Sequence, residues 1–125
     1  MSEKILVVED NEQNRILMRQ ILTHHGYEVL EAPDGLTGLD MARKHMPAMV
    51  LLDIQMPVMN GFAVVRELRS NPELRNIKAI AVTSFAMKGD RERALEAGFD
   101  EYVTKPIDTR KFPELVREML LRVQP

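Results

Sequence analysis

The chain reads as an α/β protein, a three-layer α/β/α sandwich in which a doubly wound, five-stranded parallel sheet carries helices on both faces. Three observations predict this. Short apolar runs alternate with helix-period segments from one end of the sequence to the other, the pattern of repeated β-α units. Ile5-Leu6-Val7-Val8, Met49-Val50-Leu51-Leu52 and Ala79-Ile80-Ala81-Val82 are apolar without a break, as strands covered on both faces must be. The length of 125 residues matches one core and leaves no room for a second, so a single domain spanning residues 1–125 is expected.

Strand one is Lys4-Ile5-Leu6-Val7-Val8 and stops at the acidic pair Glu9-Asp10. The first helix, about Asn14 to His25, carries Leu17, Met18, Ile21 and Leu22 at core spacing, and Gly26 ends it in the left-handed conformation. Strand two is Tyr27-Glu28-Val29-Leu30. Ala32-Pro33-Asp34-Gly35 then turns into helix two, with Asp34 as its N-cap and Pro47 as its stop. Strand three ends on Asp53, and the chain turns at once through Ile54-Gln55-Met56-Pro57-Val58-Met59-Asn60-Gly61. Helix three, near Phe62 to Arg69, buries Val65 and Leu68 and closes at Asn71-Pro72. Strand four ends at Thr83-Ser84. Helix four, about Ala86 to Ala97, offers the core little besides Met87, Ala94 and Leu95 and has Gly89 in its first turn, which predicts weak anchoring. Strand five, around Tyr102-Val103, ends at Thr104-Lys105-Pro106. Helix five begins near Asp108 or Thr109, tolerates Pro113 near its start, and docks firmly through Phe112, Leu115, Val116, Met119, Leu120 and Val123.

Composition narrows the function. Lys+Arg 17 against Asp+Glu 19 gives a net charge of -2, without the basic field that captures phosphate backbones, so no nucleic-acid partner is expected. No apolar stretch approaches the length of a membrane helix and no signal-peptide core precedes strand one, which predicts a cytoplasmic protein with no membrane partner. The absence of cysteine excludes disulfides, thiolate chemistry and a Cys-based zinc site.

In an open parallel sheet the carboxyl ends of the strands share one edge, where such folds place their chemistry. That edge gathers Glu9, Asp10 and Asp53 with Thr83 and Lys105. Three carboxylates within roughly 5 Å of one another repel by about 3 kcal/mol per pair at an effective dielectric near 20. A divalent cation relieves the repulsion, and an oxygen-only ligand set suits Mg2+ better than a transition metal.

Val7-Val8-Glu9-Asp10-Asn11, Leu51-Leu52-Asp53-Ile54-Gln55-Met56-Pro57, Val82-Thr83 and Thr104-Lys105-Pro106 occur in the order of four signatures, and over its whole length the chain resembles the receiver domain of two-component response regulators. The resemblance implies a flavodoxin-like strand order, 2-1-3-4-5. It implies Asp53 as phosphoacceptor, with Lys105 and Thr83 assisting, and a phosphohistidine on a histidine kinase or histidine phosphotransfer protein as donor. It assigns Mg2+, with Mn2+ as a substitute, to Asp10, Asp53 and the backbone carbonyl of Gln55, with Glu9 acting through water. Thr83 and Tyr102 would form the switch, and a cis peptide before Pro106 would aim Lys105. Beyond its own phosphorylation and autodephosphorylation no enzyme activity is implied. Output would pass to a downstream protein target through the face of helix four, strand five and helix five. Phe85-Ala86-Met87-Lys88-Gly89-Asp90 resembles stand-alone regulators of the bacterial cell-division type and also receivers of hybrid kinases, so a stand-alone receiver is expected and an excised one is the alternative. Phe85, two places beyond Thr83, is expected to lengthen the life of the acyl phosphate.

Two other functions fit less well. Aspartate-nucleophile phosphatases carry a second aspartate two places after the first, where this chain has Gln55. A flavin module of the same fold wants a glycine- or hydroxyl-rich phosphate loop after strand one, and Glu9-Asp10 would repel the phosphate.

Overall fold

The structure, a computed structural model, describes residues 3–84 and 88–122. Strands and helices alternate as β1 (Lys4–Val8), α1 (Glu12–His24), β2 (Glu28–Ala32), α2 (Gly35–His45), β3 (Met49–Asp53), α3 (Gly61–Ser70), β4 (Lys78–Thr83), α4 (Asp90–Ala97), β5 (Glu101–Thr104) and α5 (Lys111–Leu121). The sheet is parallel throughout and ordered β2-β1-β3-β4-β5, as the sequence predicts. Because β1 turns to β2 on one side while β3 pairs on the other, a crevice opens between the carboxyl ends of β1 and β3.

Apolar patterning explains the layers. Alternate residues of the three inner strands face opposite cores, since successive strand side chains point to opposite faces. Leu6, Val8, Val50, Leu52, Ala79 and Ala81 meet Leu39 and Ala42 of α2, Val64, Val65 and Leu68 of α3, and Ala94 of α4. Ile5, Val7, Met49, Leu51, Ile80 and Val82 meet Met18 and Leu22 of α1, and Phe112, Val116 and Met119 of α5. Each large aliphatic side chain so covered stabilises the fold by about 1.5–3 kcal/mol. The edge strands β2 and β5 are mostly half-buried.

Three helices start with side-chain caps. Asn11 Oδ1 accepts from the N–H of Asn14 at 3.0 Å, Asp34 Oδ1 from Thr37 at 2.8 Å and Asn60 Oδ1 from Ala63 at 3.0 Å, each satisfying one orphan donor of the first turn. Helix α1 ends as predicted at Gly26, whose φ of 91° turns the chain so that the Tyr27 N–H reaches Leu22 O at 3.1 Å. That bond keeps Tyr27 outside β2, which begins at Glu28 and runs on to Ala32.

Helix four differs from the expectation. Gly89 has φ 91° and no capping side chain, and the helix starts at Asp90. A left-handed residue cannot sit inside a right-handed turn, so Gly89 precedes the helix instead of occupying its first turn. Ala94 is the one buried residue of α4, and Leu95 is half-buried. Ala86 and Met87 lie outside the described residues. Leu17 of α1, expected in the core, is 38% exposed, because the buried line of that helix runs through Met18 and Leu22. Helix α5 begins at Lys111, after a turn in which the Asp108 carboxylate accepts from the N–H groups of Arg110 and Lys111 at 2.9 and 3.1 Å. Its expected apolar stripe is present from Phe112 to Leu120, and Val123 lies outside the described residues.

At the edge of the sheet remote from Asp53, Arg69 ties the loop before β4 to the loop before β5. Its guanidinium donates to the backbone oxygens of Gly98, Arg75 and Ile77 at 2.8, 2.8 and 2.6 Å and to the Asp100 carboxylate at 2.9 Å. The same Asp100 oxygen accepts from the Ala79 N–H at 2.8 Å.

Candidate functional site

Asp53, the last residue of β3, stands 5% exposed at the mouth of the crevice. The reversal after it depends on backbone packing. The Gly61 N–H bonds back to Ile54 O at 3.0 Å, and a Cβ on Gly61 would fall 2.7 Å from Asp53 O and 2.9 Å from Ile54 Cα. Only glycine allows the start of α3 to approach so closely. Within the turn Val58 takes φ 71° and is 95% exposed while the Met59 N–H closes on Pro57 O at 2.8 Å. A β-branched residue there is strained.

Glu9 and Asp10 enter from the end of β1. The Glu9 N–H bonds Ala32 O at 3.1 Å, extending the ladder by one residue and fixing where the acidic pair begins. Glu9 is wholly buried and Asp10 is exposed. One carboxylate oxygen from each of Glu9, Asp10 and Asp53 lies within 4.8 Å of the others. On the far side comes Lys105, whose N–H donates to Thr83 O at 2.8 Å and whose bond to Pro106 is cis. The Lys105 Nζ lies 2.6 Å from Glu9 Oε1 and 3.3 Å from Asp53 Oδ2.

Electrostatics follow from this crowding. Burial, then the adjoining Asp53 carboxyl, push the Glu9 pKa from its usual 4.5 to about 7, against the opposing pull of Lys105 and the Asn11 N–H. For Lys105 burial disfavours the ammonium, but the Glu9 and Asp53 carboxylates outweigh it and raise the pKa above the ordinary lysine value. Asp53 Oδ1 accepts from the Gln55 N–H at 3.1 Å. Glu9 Oε2 takes the Asn11 N–H at 3.2 Å, whereas Glu9 Oε1, though beside the Lys105 ammonium, has no aligned hydrogen-bond donor. Three carboxylates meeting here, that of Glu9 wholly buried, form a donor set that fits a hard divalent cation, and its all-oxygen character favours Mg2+.

Of the residues predicted from sequence, Glu9, Asp10, Asp53 and Lys105 come together, and the Gln55 backbone lies beside them. Thr83 is buried at the end of β4, one residue beyond the register partner of Asp53. It lines a cavity of about 370 Å³ with Ile54, Gln55, Met56, Asn60, Phe62, Asp90 and Arg93. Tyr102 is more distant. It pairs in register with Ala81 and packs, partly buried, on the core beneath α3 and α4. Burial, then the nearby Asp90 charge, raise the pKa of its hydroxyl. Phe85 lies outside the described residues.

Sequence reasoning passed over Arg15. Its guanidinium donates to the Glu9 carbonyl at 3.0 Å and to Glu31 Oε1 at 3.3 Å, and its partner Glu31 lies 16 positions away, on β2, a separation at which sequence pattern carries no signal.

Comparison with known proteins places this geometry. Residues 5–117 match the family model of the response regulator receiver domain. The polar-differentiation response regulator DivK of Brucella ovis is 43% identical over 120 residues, 96% of this chain and 98% of that protein. Among solved structures, the receiver domain of a sensor histidine kinase from Pseudomonas aeruginosa, with a magnesium ion coordinated in its active-site cleft, superposes with a TM-score of 0.88 at 31% identity, covering 96% of this chain and 98% of that one. The receiver domain protein of Methanospirillum hungatei gives 0.88 at 30% identity, with 96% and 94% covered. The chemotaxis protein CheY4 of Vibrio cholerae, 24% identical with a TM-score of 0.89 over 95% of this chain and 99% of that one, shares the fold.

Proposed function

Because the chain belongs to the family of response regulator receiver domains, we propose that it is a switch in which Asp53 accepts a phosphoryl group from a phosphohistidine on a histidine kinase or phosphotransfer protein. The whole of residues 1–125 serves as the receiver. The observation that carries this is the meeting of Asp53 with Glu9, Asp10 and Lys105 at the topological switch point of the sheet. Within the pocket an Asp53 oxygen forms the new bond to phosphorus as the P–N bond breaks and its electron pair leaves with the imidazole. Lys105, 3.3 Å from Asp53 Oδ2, pairs with the charge gathering on the phosphoryl oxygens. The Thr83 hydroxyl turns to donate to one of them.

Asp10, Asp53 and the Gln55 carbonyl would hold Mg2+, or Mn2+ in its place, with Glu9 contributing through water, and the ion would supply charge neutralisation for phosphoryl transfer. The domain also catalyses hydrolysis of its own acyl phosphate. The loss of Thr83 from its resting position lets Tyr102 turn inward, and α4, β5 and α5 present the altered face to a downstream protein in the cytoplasm.

Incubation with acetyl phosphate and Mg2+, followed by intact-mass analysis, tests the reading. The wild type is expected to gain one phosphoryl unit and Asp53→Asn none. A label that persists on the variant would move the acceptor elsewhere.

A further inference from the structure

We infer that Arg15 is the positioning residue of the metal-binding loop, acting through the Glu9 carbonyl and anchored by Glu31. The inference rests on the metal-assisted reading above and adds a residue that touches neither metal nor phosphate. The peptide between Glu9 and Asp10 joins two of the three carboxylates, so its orientation decides where the Asp10 side chain points. The peptide before it is fixed by the sheet, through the bond from the Glu9 N–H to Ala32 O. The carbonyl of the Glu9–Asp10 peptide is held from the helix side by Arg15 Nη1 at 3.0 Å. Asp10 is exposed, without the burial that positions Glu9, so the backbone must do the aiming.

Arg15 is itself held. Its Nε donates to Glu31 Oε1 at 3.3 Å, and Glu31 Oε2 accepts from Arg19 Nη1 at 3.0 Å. The Arg15 side chain is 19% exposed and Glu31 27%, so this bridge from α1 to β2 is partly shielded from solvent. A planar guanidinium anchored at one nitrogen presents the next at a fixed angle, whereas lysine offers a single mobile point charge. Supporting contacts of this kind, one bond removed from a metal ligand, change affinity by about 10- to 100-fold when lost.

Titration of the unphosphorylated protein with Mg2+ alone, followed by backbone amide shifts of Glu9 to Asn11 and by calorimetry, tests the inference. Arg15→Ala is expected to raise the Mg2+ Kd about tenfold, Arg15→Lys to recover part of the loss, and Glu31→Gln to fall between wild type and Arg15→Ala. At saturating Mg2+ the rate of labelling by acetyl phosphate should return towards the wild-type value. Kd values within twofold of wild type for folded Arg15→Ala or Glu31→Gln overturn the assignment, as does a loss of thermal stability in chelator with unchanged affinity. Should Arg15→Ala fail to fold, Glu31→Gln and Arg15→Lys decide the matter. A wild type that takes up no Mg2+ overturns both this inference and the metal-assisted reading, whereas equal binding by wild type and variants overturns this one alone.

Discussion

Individual residues at this site act through the backbone as much as through their own chemistry. Gly61 lets the start of α3 lie against Asp53, and the methyl of Gly61→Ala would press on Asp53 O and Ile54 Cα, backbone atoms that cannot swing aside. That variant is expected to lose about 1–3 kcal/mol in urea unfolding and to label more slowly with acetyl phosphate than the stability loss explains. Asp34 acts at a helix start. The Thr37 N–H holds its carboxyl below the usual aspartate value, so the cap stabilises the fold fully above the unfolded pKa near 4 and loses its effect as pH falls through the lower folded value. Asp34→Ala should cost about 1 kcal/mol near neutral pH, and thermal unfolding followed from pH 7 to 3 should show the gap from wild type closing in acid. Asp34 was legible because a cap and its helix are neighbours in sequence. Arg15 and Arg69 were not, since their partners lie as far as 16 and 31 positions away and a surface arginine looks the same with or without them.

Among the elements, the strands were easiest to read and α4 hardest. Inner strands covered on both faces need unbroken apolar runs, and β1, β3 and β4 announce themselves in that way. Helix α4 has a single buried residue, Ala94, and a glycine cap without a side chain, so periodicity placed its start too early. The same weakness gives it a role. Few buried contacts make local opening inexpensive, and phosphorylation at Asp53 should therefore shift the conformational balance of this helix before any other. Hydrogen exchange with and without acetyl phosphate and Mg2+ is expected to change most across Lys88 to Ala97 and least in β1, β3 and α5. Uniform change along the chain would count against the shift. Val58, strained and exposed in the turn after β3, shows that the loop following Asp53 too departs from relaxed geometry, in a way no apolar pattern reveals.

For the whole molecule, the alternation of strands and helices was legible in the residues and the sheet order through the family resemblance, and that order sets the ends of β1 and β3 side by side. The opposite edge was not legible. There the Arg69 guanidinium satisfies three backbone oxygens and the Asp100 carboxylate, joining the loop before β4 to the loop before β5. Arg69→Met would leave those oxygens and that carboxylate without their partner, and a loss of about 2–4 kcal/mol is expected in urea denaturation, with labelling at Asp53 retained by the folded fraction.

That arginine also governs how the far side can move. By gripping Gly98 O it pins the carboxyl end of α4, while the amino end, at Asp90, borders the cavity that Thr83 also lines. A rod fastened at one tip pivots instead of sliding. With an arm of about 12 Å for eight residues, a tilt of about 10° carries the Asp90 end roughly 2 Å and leaves Gly98 in place. Such a fulcrum would convert a small displacement beside Asp53 into a graded sweep of the outer surface, greatest at Asp90 and vanishing at the knot.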